Sequence, residues 1–315
     1  MTRSLVESAL LAALGSVLVL VGYYVPLLGP VAVFLWPLPS ALAVLRHGTR
    51  WGFLSSIVTG LSLLLFMDWL TALSLWVLFA LTGVTFGYAV SKEYSPVATI
   101  FITSGAFLVG LLMSFLSVYF VAGFTPAKLI DDYLKAMQAA TEMNKKIFGP
   151  NAVLEQFSNL EQVKEQLIRL LPGAILVSAV FQSYMNFEVA RRVLSKLGQK
   201  VEPLPPFSRW IFPEYVAHGA FVSYLAVALE PYHKISILMG LGENALFMFS
   251  LILFAQAASV LSYFMKRARV PGILTGLTLF YLFVTPGLNT LAMLFGMIDV
   301  LFDFRHLRYG WVDEI

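Results

Sequence analysis

From Trp51 to Val90 the chain runs for forty residues with a single charged side chain, Asp68. As one helix this run would be about 60 Å long, at about 1.5 Å rise per residue. That is twice the roughly 30 Å hydrocarbon core of a bilayer. The run has to double back, and Asp68 marks the expected turn. A water-soluble fold is excluded by composition. Hydrophobic residues are 59% of the chain and charged ones 12%, half the usual charged share, too few to cover a water-facing surface. Such an apolar chain is not intrinsically disordered either. The expected fold class is all-α, a polytopic transmembrane helix bundle.

The same length test divides the chain into about ten spans: Ser4–Val25, Pro30–Leu45, Trp51–Met67, Trp69–Val90, Val97–Gly123, Leu170–Val189, Trp210–Leu229, an eighth ending before Lys266, and two short spans separated by Thr285-Pro286-Gly287. A nine-span alternative keeps 270–303 as one kinked helix. The first apolar run, Ala9–Val25, is long for a signal peptide and no small-x-small site ends it, so a retained span is expected. Residues 125–169 break the pattern with twelve of the 39 charged residues, six of each sign. Thr125-Pro126 reads as a hydroxyl N-cap followed by Pro at the first helical position. Leu129, Tyr133 and Met137, then Leu154, Phe157, Leu160, Val163 and Leu167, recur at helical spacing. The 124–169 segment is therefore expected to be an extracytoplasmic amphipathic helical hairpin divided near Gly149-Pro150, either lying on the membrane surface or closing over a pocket. Arg46, His47 and Arg50, the 191–209 loop with five basic residues against Glu202, the Lys266-Arg267-Arg269 cluster, and Arg305 with Arg308 all fall on one side in the ten-span count. Basic loops favour the cytoplasm, so both termini are expected there. The expected domains are a six-span bundle, 1–200, and a bundle of about four spans, 201–315.

No P-loop, HExxH, GxSxG or dinucleotide fingerprint occurs. The absence of Cys excludes disulfides and thiolate chemistry, and His47, His218, His233 and His306 are too scattered to suggest a metal cluster. The expectation is a protein that is not an enzyme, with no cofactor and no metal. No nucleic-acid partner is expected, because no dense basic patch with interleaved aromatics appears. The candidate substrate-binding residues are Tyr23, Tyr24, Trp36, Asp68, Trp69 and Trp76, along the outer halves of the first four spans. The same aromatics also fit an interfacial belt. Pro26, Pro30, Pro37 and Pro39 break the helix around span 2, as in transporter binding sites, or simply shape the bundle. Glu214 and His218, four apart, are candidates for proton relay or cation binding, or for structural pairing. Glu243, Asn244 and Gln256 are further polar groups in or near span 8. Glu188 is expected to pair with Arg191 or Arg192, and Asp299 and Asp303 to face Arg305 and Arg308. The small-residue pairs Ala9/Ala13, Gly83/Gly87 and Gly272/Gly276 suit close helix packing, and Ala9/Ala13 also suits docking of a membrane partner.

The stretch from Asn244 through Phe254-Ala-Gln256 to Lys266-Arg267, with the closing Asp299-Val-Leu-Phe-Asp303-Phe-Arg305, resembles the YybS-like family of bacterial membrane proteins. That family tends to carry Gly after the span 8 glutamine; this chain has Ala257. The first six spans resemble an S component of energy-coupling-factor transporters, through Ala9-x-x-x-Ala13, the Pro-rich outer loop and Arg46-His-Gly48-Thr-Arg50-Trp-Gly52. That resemblance implies a solute site near the outer face and a shared transmembrane coupling partner docked on the first helix. The 124–169 insertion and the extra spans after Leu197 depart from it. The expected role is a small-solute binding or transport component of the bacterial cytoplasmic membrane, with the bilayer, a coupling partner or a second copy, and an unnamed small molecule as partners. The alternatives are a non-catalytic scaffold that recruits partners, and a proton- or cation-coupled transporter.

Overall fold

The structure, a computed structural model, describes residues 2–123, 125–148, 160–229, 236–285 and 287–308, and the regular elements among them are all helical. They are α1 (Thr2–Tyr24), α2 (Gly29–Leu35), α3 (Leu38–His47), α4 (Thr49–Leu63), α5 (Trp69–Ser91), α6 (Pro96–Ala122), α7 (Pro126–Phe148), α8 (Leu160–Lys196), α9 (Tyr215–Ala228), α10 (Ser236–Arg267), α11 (Gly272–Val284) and α12 (Leu288–Phe302). A single 3-10 turn, Phe207–Arg209, precedes α9. Among the described residues six helices are long and apolar enough to cross a membrane: α1, the broken α2–α3 pair, α5, α6, α8 and α10. The bent α11–α12 pair makes a seventh if it counts as one span. The chain is thus an all-α, multi-pass membrane protein. It divides into two compact units, Met1–Leu160 with Ile175–Leu204, and Glu161–Ala174 with Pro205–Ile315.

In the first unit α1 and α4 run side by side in the same direction, joined by small hydroxyl residues. Ser55 Oγ donates to the Ser8 carbonyl at 3.1 Å, Thr59 Oγ1 to that of Ala12 at 3.1 Å, and the Ser16 and Ser62 hydroxyls meet at 2.5 Å. Interhelical hydrogen bonds of this kind contribute about 0.6 kcal/mol each in a membrane bundle. The α2–α3 break falls at Trp36-Pro37, since Pro37 and Pro39 lack the N–H groups that would continue the helix. α5 packs on α3 through two glycines: a Cβ on Gly83 would lie 2.6 Å from the Pro37 carbonyl oxygen, and one on Gly87 2.8 Å from that of Ala41. At one end Glu7 of α1 accepts from Arg46, and from His47 Nε2 at 2.8 Å. At the other, the Tyr24 hydroxyl donates to the Phe66 carbonyl. Apolar packing follows the same division. Leu11, Leu42, Phe86, Phe187 and Leu194 form one buried cluster, and Val19, Trp36, Leu63, Ala72 and Phe79 another.

In the second unit α10 is the central helix. α9 runs antiparallel to it, with Gly219 against the Phe249 ring and Gly242 against Ala226 and Val227. α12 runs in the same sense as α10, its Gly296 pressed so close that a Cβ would fall 2.0 Å from the Leu253 carbonyl oxygen. α11 and α12 meet at 107° around Thr285 and Gly287, the latter at φ +85°. The pair is either a broken span or a re-entrant loop.

Three expected boundaries shift. The span expected over Trp210–Leu229 is helical only from Tyr215, because residues 205–212 are held in an irregular segment described below. The span expected over Trp51–Met67 ends as a helix at Leu63, before a turn that reaches Asp68. The expected break between a second amphipathic helix and the sixth span does not occur, since α8 runs unbroken from Leu160 through Pro172 to Lys196. The first helix of the hairpin starts where expected, with Thr125 Oγ1 accepting from Lys128 N at 3.2 Å. Gly149-Pro150, Leu154 and Phe157 lie outside the described residues, as do His233 and Pro286.

Candidate functional site

Two polar centres stand out, one in each unit. In the first unit the interior between α1, α3, α4 and α5 holds a cavity of about 20 Å³, room for about one water molecule. Trp36 and Trp76 line it, together with Gly15, Ser40, Ser56 and Thr59. Trp36 is fixed: Nε1 donates to the Leu18 carbonyl at 2.8 Å and the ring stands edge-on to Phe79, centroids 4.1 Å apart. The three hydroxyls donate to backbone carbonyls of Pro37, Phe53 and Ala12, and each oxygen keeps acceptor capacity. Trp76 Nε1 is buried with no hydrogen-bond partner. Gly60 lies under its ring, where a Cβ would be 2.5 Å from the indole carbons.

Of the six aromatic and acidic residues proposed from the sequence, the structure brings Trp36 and Trp76 to this cavity. The other four are not among its lining residues. Tyr23 and Tyr24 pack edge-on to each other and stay exposed, as does Trp69. Asp68 caps α5, its Oδ1 accepting from Thr71 N at 2.9 Å. Hydrogen bonds from Thr71 hold its carboxyl below the usual aspartate range. Gly83 and Gly87 are buried in the α3–α5 contact, whereas Ala9 and Ala13 lie on the exposed face of α1. Gly272 and Gly276 have open space around them.

In the second unit the centre is Arg305. Its Nη1 donates to the Ser208 carbonyl at 2.9 Å and to Ser259 Oγ at 2.8 Å, and its Nη2 to the Trp210 carbonyl at 2.8 Å and to Asp299 Oδ2 at 3.1 Å. Both side chains of the Asp299–Arg305 pair are 0% exposed. Gln256, also fully buried, donates to Asp299 Oδ2 at 2.5 Å and accepts from Phe212 N at 3.0 Å. The arrangement anchors the irregular 205–212 segment to α10 and α12. Both Nη groups of Arg305 are taken up within it while its Nε is buried without a partner, and the arrangement acts as a lock on that segment. Asp303 is the C-cap of α12 at φ +45°, its carboxylate accepting from the Leu307 and Arg308 amides.

A profile described as "Predicted membrane protein (DUF2232)" matches residues 13–300. The chain belongs to the DUF2232 family. It is 25% identical over 314 residues to the "Uncharacterized protein YybS" of Bacillus subtilis (strain 168), covering 97% of this chain and 98% of that one. No solved structure matches. Both findings agree with the YybS-like resemblance of this DUF2232 protein.

The remaining candidates find partners that spacing did not suggest. Glu214 does not meet the His218 ring. Its carboxylate accepts from Arg308 Nη1 at 2.6 Å, while His218 Nδ1 lies 3.0 Å from the Glu214 carbonyl oxygen. Glu243 pairs with Arg169 at 3.7 Å, and Asn244 bonds to the backbone of α8. Glu188 pairs with Arg191 and Arg192, as expected from their spacing. Sequence reasoning missed Gly60 and the Ser/Thr stripe of α4. The three- and four-residue recurrence of Ser55, Thr59 and Ser62 was the available signal. Among the described residues no group of three His, Cys, Asp or Glu could hold a metal ion.

Proposed function

We propose that the first unit is a small-solute-binding module in the cytoplasmic membrane of a bacterium, similar in role to an energy-coupling-factor S component. On this reading the chain is non-catalytic and draws energy from a transmembrane partner. The observation that carries the proposal is the orphaned Trp76 indole N–H beside a cavity walled by Ser40, Ser56 and Thr59. A buried donor without an acceptor costs about 1–3 kcal/mol, and an acceptor on a bound molecule removes that cost. The Trp36-Pro37 break supports the reading, because α2 can move there without unwinding α3. The exposed Ala9/Ala13 face of α1 is the proposed seat of the coupling partner. Native mass spectrometry of the purified protein, with thermal-shift screening of metabolites, tests this. A molecule that stabilises the wild type but not Trp76→Phe supports the site; no bound molecule and no shift with well-folded protein refutes it.

The cavity volume favours a second reading. About 20 Å³ admits a water and no solute, which suits a scaffold that recruits partners through α7. Deleting 126–148 would then abolish a pull-down partner, with no solute bound at any stage.

A further inference from the structure

Pro172 lies inside α8 and has no N–H to give to the carbonyl four residues back, yet α8 continues through it. The next rung of the ladder is also changed. Gly173 N donates to Asn244 Oδ1 at 2.6 Å, and the Arg169 carbonyl accepts from Asn244 Nδ2 at 2.8 Å. These are the two backbone groups that an ordinary helix would join to each other. The Asn244 amide therefore lies along this rung of the helix, presenting an acceptor to the Gly173 amide and a donor to the Arg169 carbonyl. Its second N–H donates to the Gly240 carbonyl of its own helix at 2.7 Å. Gly173 makes room, since a Cβ there would lie 2.7 Å from Asn244 Oδ1. The neighbouring Glu243 reaches Arg169 at 3.7 Å, so adjacent residues of α10 grip the same turn of α8.

We infer that Asn244 is a clasp: its amide bridges Gly173 N and the Arg169 carbonyl, the rung next to the bond that Pro172 cannot make, and its engagement holds α8 continuous at that turn. A side chain inserted into an i→i−4 ladder is a recognised cause of helix bending. Here it is also removable, because the inserted group belongs to a different helix. When Asn244 withdraws, Gly173 N and the Arg169 carbonyl are free to move apart beside a proline that cannot restrain them.

The chain contains no Cys, so a spin-label pair introduced as Gln166→Cys and Ser195→Cys reports on α8 alone. In the otherwise wild-type background the distance between the labels is expected to be a single narrow population. Asn244→Ala broadens it and adds a shorter population. Adding Pro172→Ala to Asn244→Ala restores the narrow distance, because both rungs can then close within the helix. An unchanged distribution in Asn244→Ala overturns the clasp, and so does broadening that Pro172→Ala leaves in place. If Asn244→Ala yields no folded protein, recovery on adding Pro172→Ala supports the proposal, and failure of both variants to fold overturns it.

Discussion

Arg305 has both guanidinium Nη atoms satisfied by two carbonyls, one hydroxyl and one carboxylate, entirely out of solvent. Removing one partner of a buried ion pair strands the other, at about 3–5 kcal/mol. Arg305→Leu is therefore expected to lower stability by that order in detergent unfolding followed by Trp fluorescence. Pairing it with Asp299→Leu removes the stranded carboxylate but still leaves the Ser208 and Trp210 carbonyls unmatched, so the double variant recovers only part of the loss. Asp68 makes a gentler test. Its lowered pKa means that its folded-state contribution is complete above the usual aspartate range and is lost as pH falls through the folded value. Acidification should thus cost the wild type a small stability increment that is missing in Asp68→Asn, which caps α5 without titrating. At this scale the sequence was legible where partners are near in the chain. Asp299 with Arg305 and Glu188 with Arg191 follow from spacing. Arg308 as the partner of Glu214, 94 residues away, does not. The four-residue separation that suggested a Glu214–His218 pair failed because Glu214 precedes the first turn of α9 and its carboxylate is drawn to Arg308.

At the level of elements, hydropathy located helices and could not say which of their faces meet. Three small-residue pairs look alike in sequence, yet only Gly83/Gly87 is buried against another helix. That difference is testable. Gly87→Val must displace the Ala41 backbone and is expected to destabilise the protein by about 1–3 kcal/mol, the range for overpacking. Gly276→Val meets open space and should leave the melting temperature of purified protein unchanged or slightly raised, since it removes a helix glycine. Helix ends were the least readable feature. α9 begins late because the Arg305 lock holds 205–212 out of helical geometry. α8 continues through Pro172 with Asn244 bridging the adjacent Gly173 amide and Arg169 carbonyl. In both cases a side chain distant in sequence overrides local propensity. Beside Ala257 the close approach to α10 is provided by Gly296 of α12.

For the whole molecule the question is which ends face the cytoplasm. In the first unit the Glu7 contact brings Arg46 and His47 to the start of α1. In the second, the matched levels Leu253/Gly296, Gln256/Asp299 and Ser259/Arg305 carry Arg305 toward the end of α10 that bears Lys266 and Arg267. Within each unit these particular basic residues therefore share one end. A cluster of Lys and Arg beside a span holds that side in the cytoplasm during insertion, so each of these ends is expected to be cytoplasmic and α7, reached from His47 by the three crossings α4, α5 and α6, outside. Single cysteines placed at Arg50, Lys266 and Asp132, all exposed, turn this into a measurement, because no native thiol competes. In intact spheroplasts a membrane-impermeant maleimide should label Asp132→Cys and spare Arg50→Cys and Lys266→Cys until the cells are lysed. If Asp132→Cys is spared together with the other two, α7 lies inside. The solute-binding reading then fails, since the outer-face solute site that the S-component resemblance implies needs the ten-span orientation with α7 outside.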